Sequence, residues 1–220
     1  MLIERNLKRI IVLLLTGAVA FPLLAEDTPE AKKDAAAKTD PKKSDEEQMM
    51  ATMMEMAKPG EPHKQMQDRV GTWSYRTKWW MNPEAPPSES SGTSVTRSIM
   101  DGRYLVSDHT GKIQMPGPDG KMVDLEFKGM AIEGYDNAKK KYVASWIDNM
   151  GTGIMNLEGT YNPADNALTY YAEYEPMPGM KMKIREVLTK MDNDHHRMEF
   201  FEDRGGKDVK TMQIDYTRKS

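Results

Sequence analysis

From Gly71 to the C-terminus, apolar and polar residues alternate with a period of two. Trp73, Tyr75, Thr77, Trp79 and Met81 fall on one face of an extended segment; Ser74, Arg76, Lys78 and Trp80 fall on the other. The same alternation returns over 94–100, 103–108, 123–135, 141–149, 153–161, 168–174, 181–188, 196–202 and 209–218. Turn formers separate these runs: Asp101-Gly102, Asp136-Asn137, Pro178-Gly179, Asp192-Asn193-Asp194, Gly205-Gly206 and the Pro/Gly/Asn-rich stretches 116–120 and 162–166. Sequential strands with hairpin-length connections predict an antiparallel meander, and closing it into a cylinder removes the exposed edges. The fold class is all-β: a closed antiparallel barrel of about 8–10 strands over 71–220.

The pattern differs upstream. Over 44–70 it is helical: Ser44 and Glu47 have the spacing of a capping box, and Met50, Met53, Met54 and Ala57 recur on one face. Lys58-Pro59-Gly60 ends this helix, and a second short turn fits 63–69. The stretch 26–43 mixes both charges with Ala and Pro and is expected to be a disordered linker. Residues 1–25 read as a signal peptide: Arg5, Lys8 and Arg9, then an apolar run over 10–20, then small residues. That run is shorter than the ~20 residues of a spanning helix, so cleavage after Ala25 or Ala20 is expected rather than anchoring. The predicted destination is the periplasm or the medium, with no membrane span in the mature form.

Charge and composition narrow the partners. Removing 1–25 takes away three positive charges and one negative, so the formal net charge moves from −3 to −5. An acidic chain is a poor nucleic-acid binder. With no cysteine, disulfides, thiolate metal sites and cysteine nucleophiles are all excluded.

Three motifs carry a resemblance. "VGTWSY" at 70–75 resembles the Gly-x-Trp opening strand of calycins, the lipocalin and fatty-acid-binding-protein group, and "IDYTRKS" at the C-terminus is similar to their closing strand. "GYDNAKKKYVASWIDNMGTG" at 134–153 resembles a bacterial family of exported proteins known as domain of unknown function 1579. The resemblance implies a calycin-like barrel and supplies neither an activity nor catalytic residues. If the first and last strands pair, Arg218 lies over the Trp73 ring, a closing cation–π contact of ~1 kcal/mol.

Candidate chemistry lies on the inward faces. If the apolar member of each alternation faces in, Arg97 points inward with Val95 and Ile99, Glu186 with Ile184 and Leu188, Glu202 with Phe200, and Asp148 with Trp146. Buried charges must pair, reach water or meet a ligand. Two readings stay open: charges paired within the core, or a wet cavity lined by Trp79, Tyr104, Trp146 and Tyr170. In the second, Arg97, Asp148 or Glu186 would orient a small hydrophobic or amphipathic ligand. Asp148 and Asn149 also suit a purely local role, bonding the Met150-Gly151-Thr152-Gly153 bend.

Other chemistry is thinly supported. His195-His196 beside Asp192-Asn193-Asp194 reads as a solvated turn, and His109 and His196 are the candidates for a haem ligand. Twenty methionines, crowded at 49–56 and at Met177, Met180 and Met182, suit Cu(I) or, more simply, a flexible apolar face for packing or docking a partner. No nucleophile elbow, phosphate loop, zinc-hydrolase motif or dinucleotide fingerprint occurs. The expectation is an exported ligand-binding barrel without predicted cofactor or metal. The alternatives are a self-filled barrel that binds other proteins through its 44–58 helix, and a haem or copper carrier.

Overall fold

The computed structural model describes residues 44–117, 119 and 121–220; the expected signal peptide and linker lie outside them. Helix α1 spans Asp45–Met56 and α2 spans Glu61–Met66, followed by a 3-10 turn, Gln67–Arg69. Ten strands follow: β1 (Gly71–Trp79), β2 (Ser88–Ile99), β3 (Tyr104–Pro116), β4 (Met122–Asp136), β5 (Lys141–Asp148), β6 (Met155–Asn162), β7 (Ala167–Met177), β8 (Met180–Lys190), β9 (His195–Asp203) and β10 (Asp208–Arg218). Each pairs antiparallel with its sequence neighbour, and β1 pairs with β10 to close the barrel. The closing register sets Trp73 opposite Arg218, Tyr75 opposite Tyr216 and Trp79 opposite Met212. Every strand pairs with a neighbour on each side over part of its length, which removes the long free edges of an open sheet, while hairpin ends such as 113–116 with 122–128 pair only with each other.

Alternation holds the interior face together. Trp73, Tyr75 and Tyr216 form one buried group, and Leu105, Tyr142, Leu157, Leu168, Tyr170 and Leu188 form another with Met66 of α2. Along β1, exposure of the interior-facing side chains climbs from 3% at Trp73 to 7% at Tyr75 and 37% at Trp79. One end of the cylinder is therefore plugged, and the other is a mouth.

The plug is α2 with its 3-10 turn. His63 and Met66 are buried there, and the His63 Nδ1 accepts the Gly60 N–H at 3.0 Å. Arg218 stacks on the Trp73 ring at 4.1 Å. It also donates to the carbonyls of Val70 at 2.8 Å, Asp68 at 2.7 Å and Asn193 at 3.1 Å. Gly71 makes room for this arginine. Its φ of +136° suits glycine alone, and a Cβ there would lie 2.6 Å from an Arg218 nitrogen. Helix α1, capped by the reciprocal Ser44–Glu47 pair, buries no residue. Asn137 holds its C-terminal end, donating to the Met56 and Lys58 carbonyls at 2.7 and 2.9 Å.

The strands outrun the alternation at the mouth. β2 begins at Ser88, opposite Trp79 of β1, and β3 continues to Pro116, opposite Met122 of β4, because those ladders extend through residues without an apolar period. Cross-strand pairing, not local pattern, holds such stretches extended.

Candidate functional site

Sequence places the chemistry on the interior face, and register shows which residues reach it. Glu133 on β4 is buried. The guanidinium of Arg69, carried inward by the 3-10 turn, grips it from one nitrogen: Nη1 donates to Oε1 at 2.9 Å and to Oε2 at 2.7 Å. The Tyr170 hydroxyl donates to Oε2 at 3.2 Å. The Arg69 Nη2 is buried without a hydrogen-bond partner. Beside this group, between Tyr170 and Phe200 in register, sits Glu186. It is 6% exposed and has neither a hydrogen bond nor an ion pair. Burial, with the neighbouring Glu133 charge, pushes its carboxyl up to about 8.

Two histidines complete the layer. His109 on β3 touches the rings of Trp146 at 5.2 Å, Tyr75 at 5.9 Å and Tyr216 at 6.2 Å, and bonds Ser94 through Nε2 at 3.3 Å. His196 stacks on Tyr216 at 4.4 Å and meets Trp73 edge-on at 4.4 Å. Burial lowers both, His109 to about 4 and His196 to about 3, so both are neutral at pH 7. Their faces and edges are taken by aromatic rings. Among the described residues no group of three or more His, Cys, Asp or Glu is placed to hold a metal ion.

The candidate residues separate into two sets. Tyr170 and Glu186 share the deep layer; Trp146, Asp148 and Trp79 face inward nearer the mouth. Trp146 lies against Gly129, where a Cβ would come within 2.4 Å of the indole, and donates from Nε1 to Asp148 at 2.8 Å. The other Asp148 oxygen accepts the Met150 N–H at 2.9 Å. Asp148 thus orients the ring and starts the glycine-rich bend, which is why the two residues share a face. Glu202 also faces inward, held by Arg204 at 3.0 Å.

Arg97 and Tyr104 correct the expected facing. Thr96 pairs with Ser107 and Ser94 with His109 on the interior face, so Val95 and Arg97 point outward. Arg97, 53% exposed in its side chain, pairs there with Asp108. Tyr104 lies on the same outer face, its ring over Gly134. The rule that the apolar residue faces in fails here because this side of the lumen is filled by large rings from flanking strands, Tyr75 on β1, Trp146 on β5 and Tyr216 on β10. Small polar residues fit beneath those rings. The same inversion hid Glu133: on β4 the apolar Ile132 is exposed, and Ala131 and Glu133 face in. The signal that could have found it is a run of small residues at alternate positions on three successive strands: Ser94 and Thr96, Ser107, then Gly129 and Ala131.

A crevice of about 230 Å³ lies under the plug, lined by Met66, Arg69, Trp73, Leu168, Leu188 and His196 among others. Several of its polar groups are occupied by one another, although the Arg69 Nη2 is not: Tyr142 donates to Gln65 at 2.8 Å, Asn166 donates to the Lys190 carbonyl at 2.8 Å, and Lys190 donates to Asp68 at 2.7 Å. The α1 methionines Met50, Met53, Met54 and Met56 remain exposed.

A family model covers the barrel and its plug, residues 58–218. The chain belongs to the family described as Protein of unknown function (DUF1579). Among solved structures, this DUF1579 chain is similar to Rv2717c from M. tuberculosis at 12% identity, with a TM-score of 0.49 over 74% of this chain and 100% of the other. It is also similar to a de novo designed fluorescence-activating β-barrel at 14% identity, with a TM-score of 0.37 over 70% of this chain and 95% of the other. No curated protein matches the DUF1579 chain significantly. At these identities and scores the function has to be read from the lumen itself.

Proposed function

We propose that the barrel binds a small amphipathic molecule in its interior, the polar end meeting the Glu186 layer and the apolar body lying against the aromatic side chains toward the mouth. One observation carries this reading: Glu186 is a buried carboxyl without a partner. A polar group hidden without a hydrogen bond costs on the order of 1–3 kcal/mol, and a fold tolerates it where something else gains. A ligand that satisfies it recovers that free energy as affinity. The graded exposure along β1 gives the direction of entry. Small barrels hold one such molecule.

The test is native mass spectrometry of the intact chain purified without detergent from its own cells, beside fluorescence of the neutral probe N-phenyl-1-naphthylamine. The wild-type chain is expected to release a small molecule on denaturation and to brighten the probe. Glu186→Leu is expected to emerge bare and to melt higher, since the lone carboxyl is gone. A bare wild-type polypeptide that leaves the probe dark would overturn the reading.

A further inference from the structure

The sign of the lumen narrows the ligand further. Arg69 is paired with Glu133 through Nη1, while its Nη2 has no hydrogen-bond partner. Lys190 is held by Asp68, and Arg218 by main-chain carbonyls at the plugged end. Glu186 therefore stands as a carboxyl for which the protein supplies no counter-charge.

Toward the mouth the interior face carries one further carboxylate without an ion pair, Asp148. The paired interior-facing positions are Trp79, Gly92, Gly111, Phe127, Trp146, Met155, Ala172, Met182, Phe200 and Met212 with their neighbours of the same parity. Among these described positions the charged side chains are Asp148 and Glu202, the second paired with Arg204 just beyond its strand. A wall of aromatic and thioether groups, whose carboxylates without an ion pair are Asp148 and Glu186, attracts cations through ring faces as well as charge. An anionic amphiphile would instead bring its head against Glu133 and Glu186.

We propose that the lumen selects amphiphiles whose buried end is a cation, an amine or a quaternary ammonium, received by the Glu186 carboxylate among Tyr170, Phe200 and Tyr216. This rests on the ligand-binding reading above and names the head group it requires. Glu186 is faced by Tyr170 on β7, Phe200 on β9, Tyr216 on β10 and Glu133 on β4, with Arg69 behind Glu133. Glu186, its carboxyl pushed up to about 8 by burial, changes charge between pH 6 and 9. Binding a fixed cation therefore strengthens across that interval.

Three probes of one chain length separate the outcomes: decyltrimethylammonium, 1-decanol and decanoate, each below its aggregation concentration. They are titrated into the intact chain by calorimetry and by tryptophan fluorescence. The expected order at pH 8 is cation, then alcohol, then carboxylate, with the cation at least tenfold tighter than the alcohol and its affinity rising about tenfold from pH 6 to 9. Glu186→Gln is expected to abolish the preference and the pH dependence while decanol still binds, and Glu186→Asp to keep part of the preference. Decanol or decanoate binding as tightly as the cation, or a preference that survives Glu186→Gln, would overturn the head-group assignment and leave the ligand-binding reading standing. No binding by any probe would overturn both.

Discussion

At the residue scale, stability concentrates in two arginines that reach the interior from opposite ends of the sequence. Arg69 and Glu133 form a buried ion pair, and removing one member strands the other charge. Arg69→Met is expected to lose about 3–5 kcal/mol in urea denaturation. Arg69→Met with Glu133→Leu should recover most of that loss, short of the part due to the Tyr170 hydroxyl, whose acceptor has gone. Arg218→Ala removes three bonds to carbonyls and the Trp73 contact, a loss of about 2 kcal/mol or more that Arg218→Lys restores only in part, because an ammonium cannot span Val70 and Asp68 together. Trp73, Arg218 and Glu186 were legible in the sequence from alternation and resemblance. Arg69 and Glu133 were not: one sits on a turn with no period, and the other beside Met130 and Ile132, the apolar residues that face outward on its strand.

At the element scale, the two helices differ in what they do despite lying a few residues apart. α1 presents its methionines to solvent and is tied down by exposed bonds from Asn137, whereas α2 drives Met66 into the core. Starting the chain at Gly60 is expected to leave the melting temperature within about 2 °C of the intact protein. Met66→Ala is expected to destabilise by about 2–5 kcal/mol through the cavity it leaves, read as a shift in denaturation midpoint at unchanged slope. The position of both helices could be read from Ser44, the methionine spacing and Pro59-Gly60. Their unequal burial could not, because spacing defines a face without saying what covers it. The strands were found wherever alternation was strong, and underestimated at residues 88–93 and 109–116, where pairing alone maintains them.

At the scale of the whole molecule, the buried titratable groups set opposite limits on stability. The Glu186 carboxyl titrates near 8 when folded, above its ordinary 4.5, so the folded chain holds the extra proton between those values and stability falls as pH rises through them. His109 and His196, lowered to about 4 and about 3 from 6.5, act in reverse: the unfolded chain takes up their protons and stability falls as pH drops below 6.5. Two imidazoles outweigh one carboxyl between 4.5 and 6.5, and Glu186 dominates above. Melting temperature should therefore peak at about pH 6.5, with an alkaline decline of about 1 kcal/mol per pH unit that Glu186→Gln flattens. Closure of the sheet has a further outcome in time. Arg218 meets Val70 across 148 residues, so the seam between first and last strands forms only once β10 has been made and released from the ribosome. Until β10 emerges, the nascent sheet is an unsealed ribbon with two bare margins, and a variant lacking Asp208–Arg218 would stay in that state.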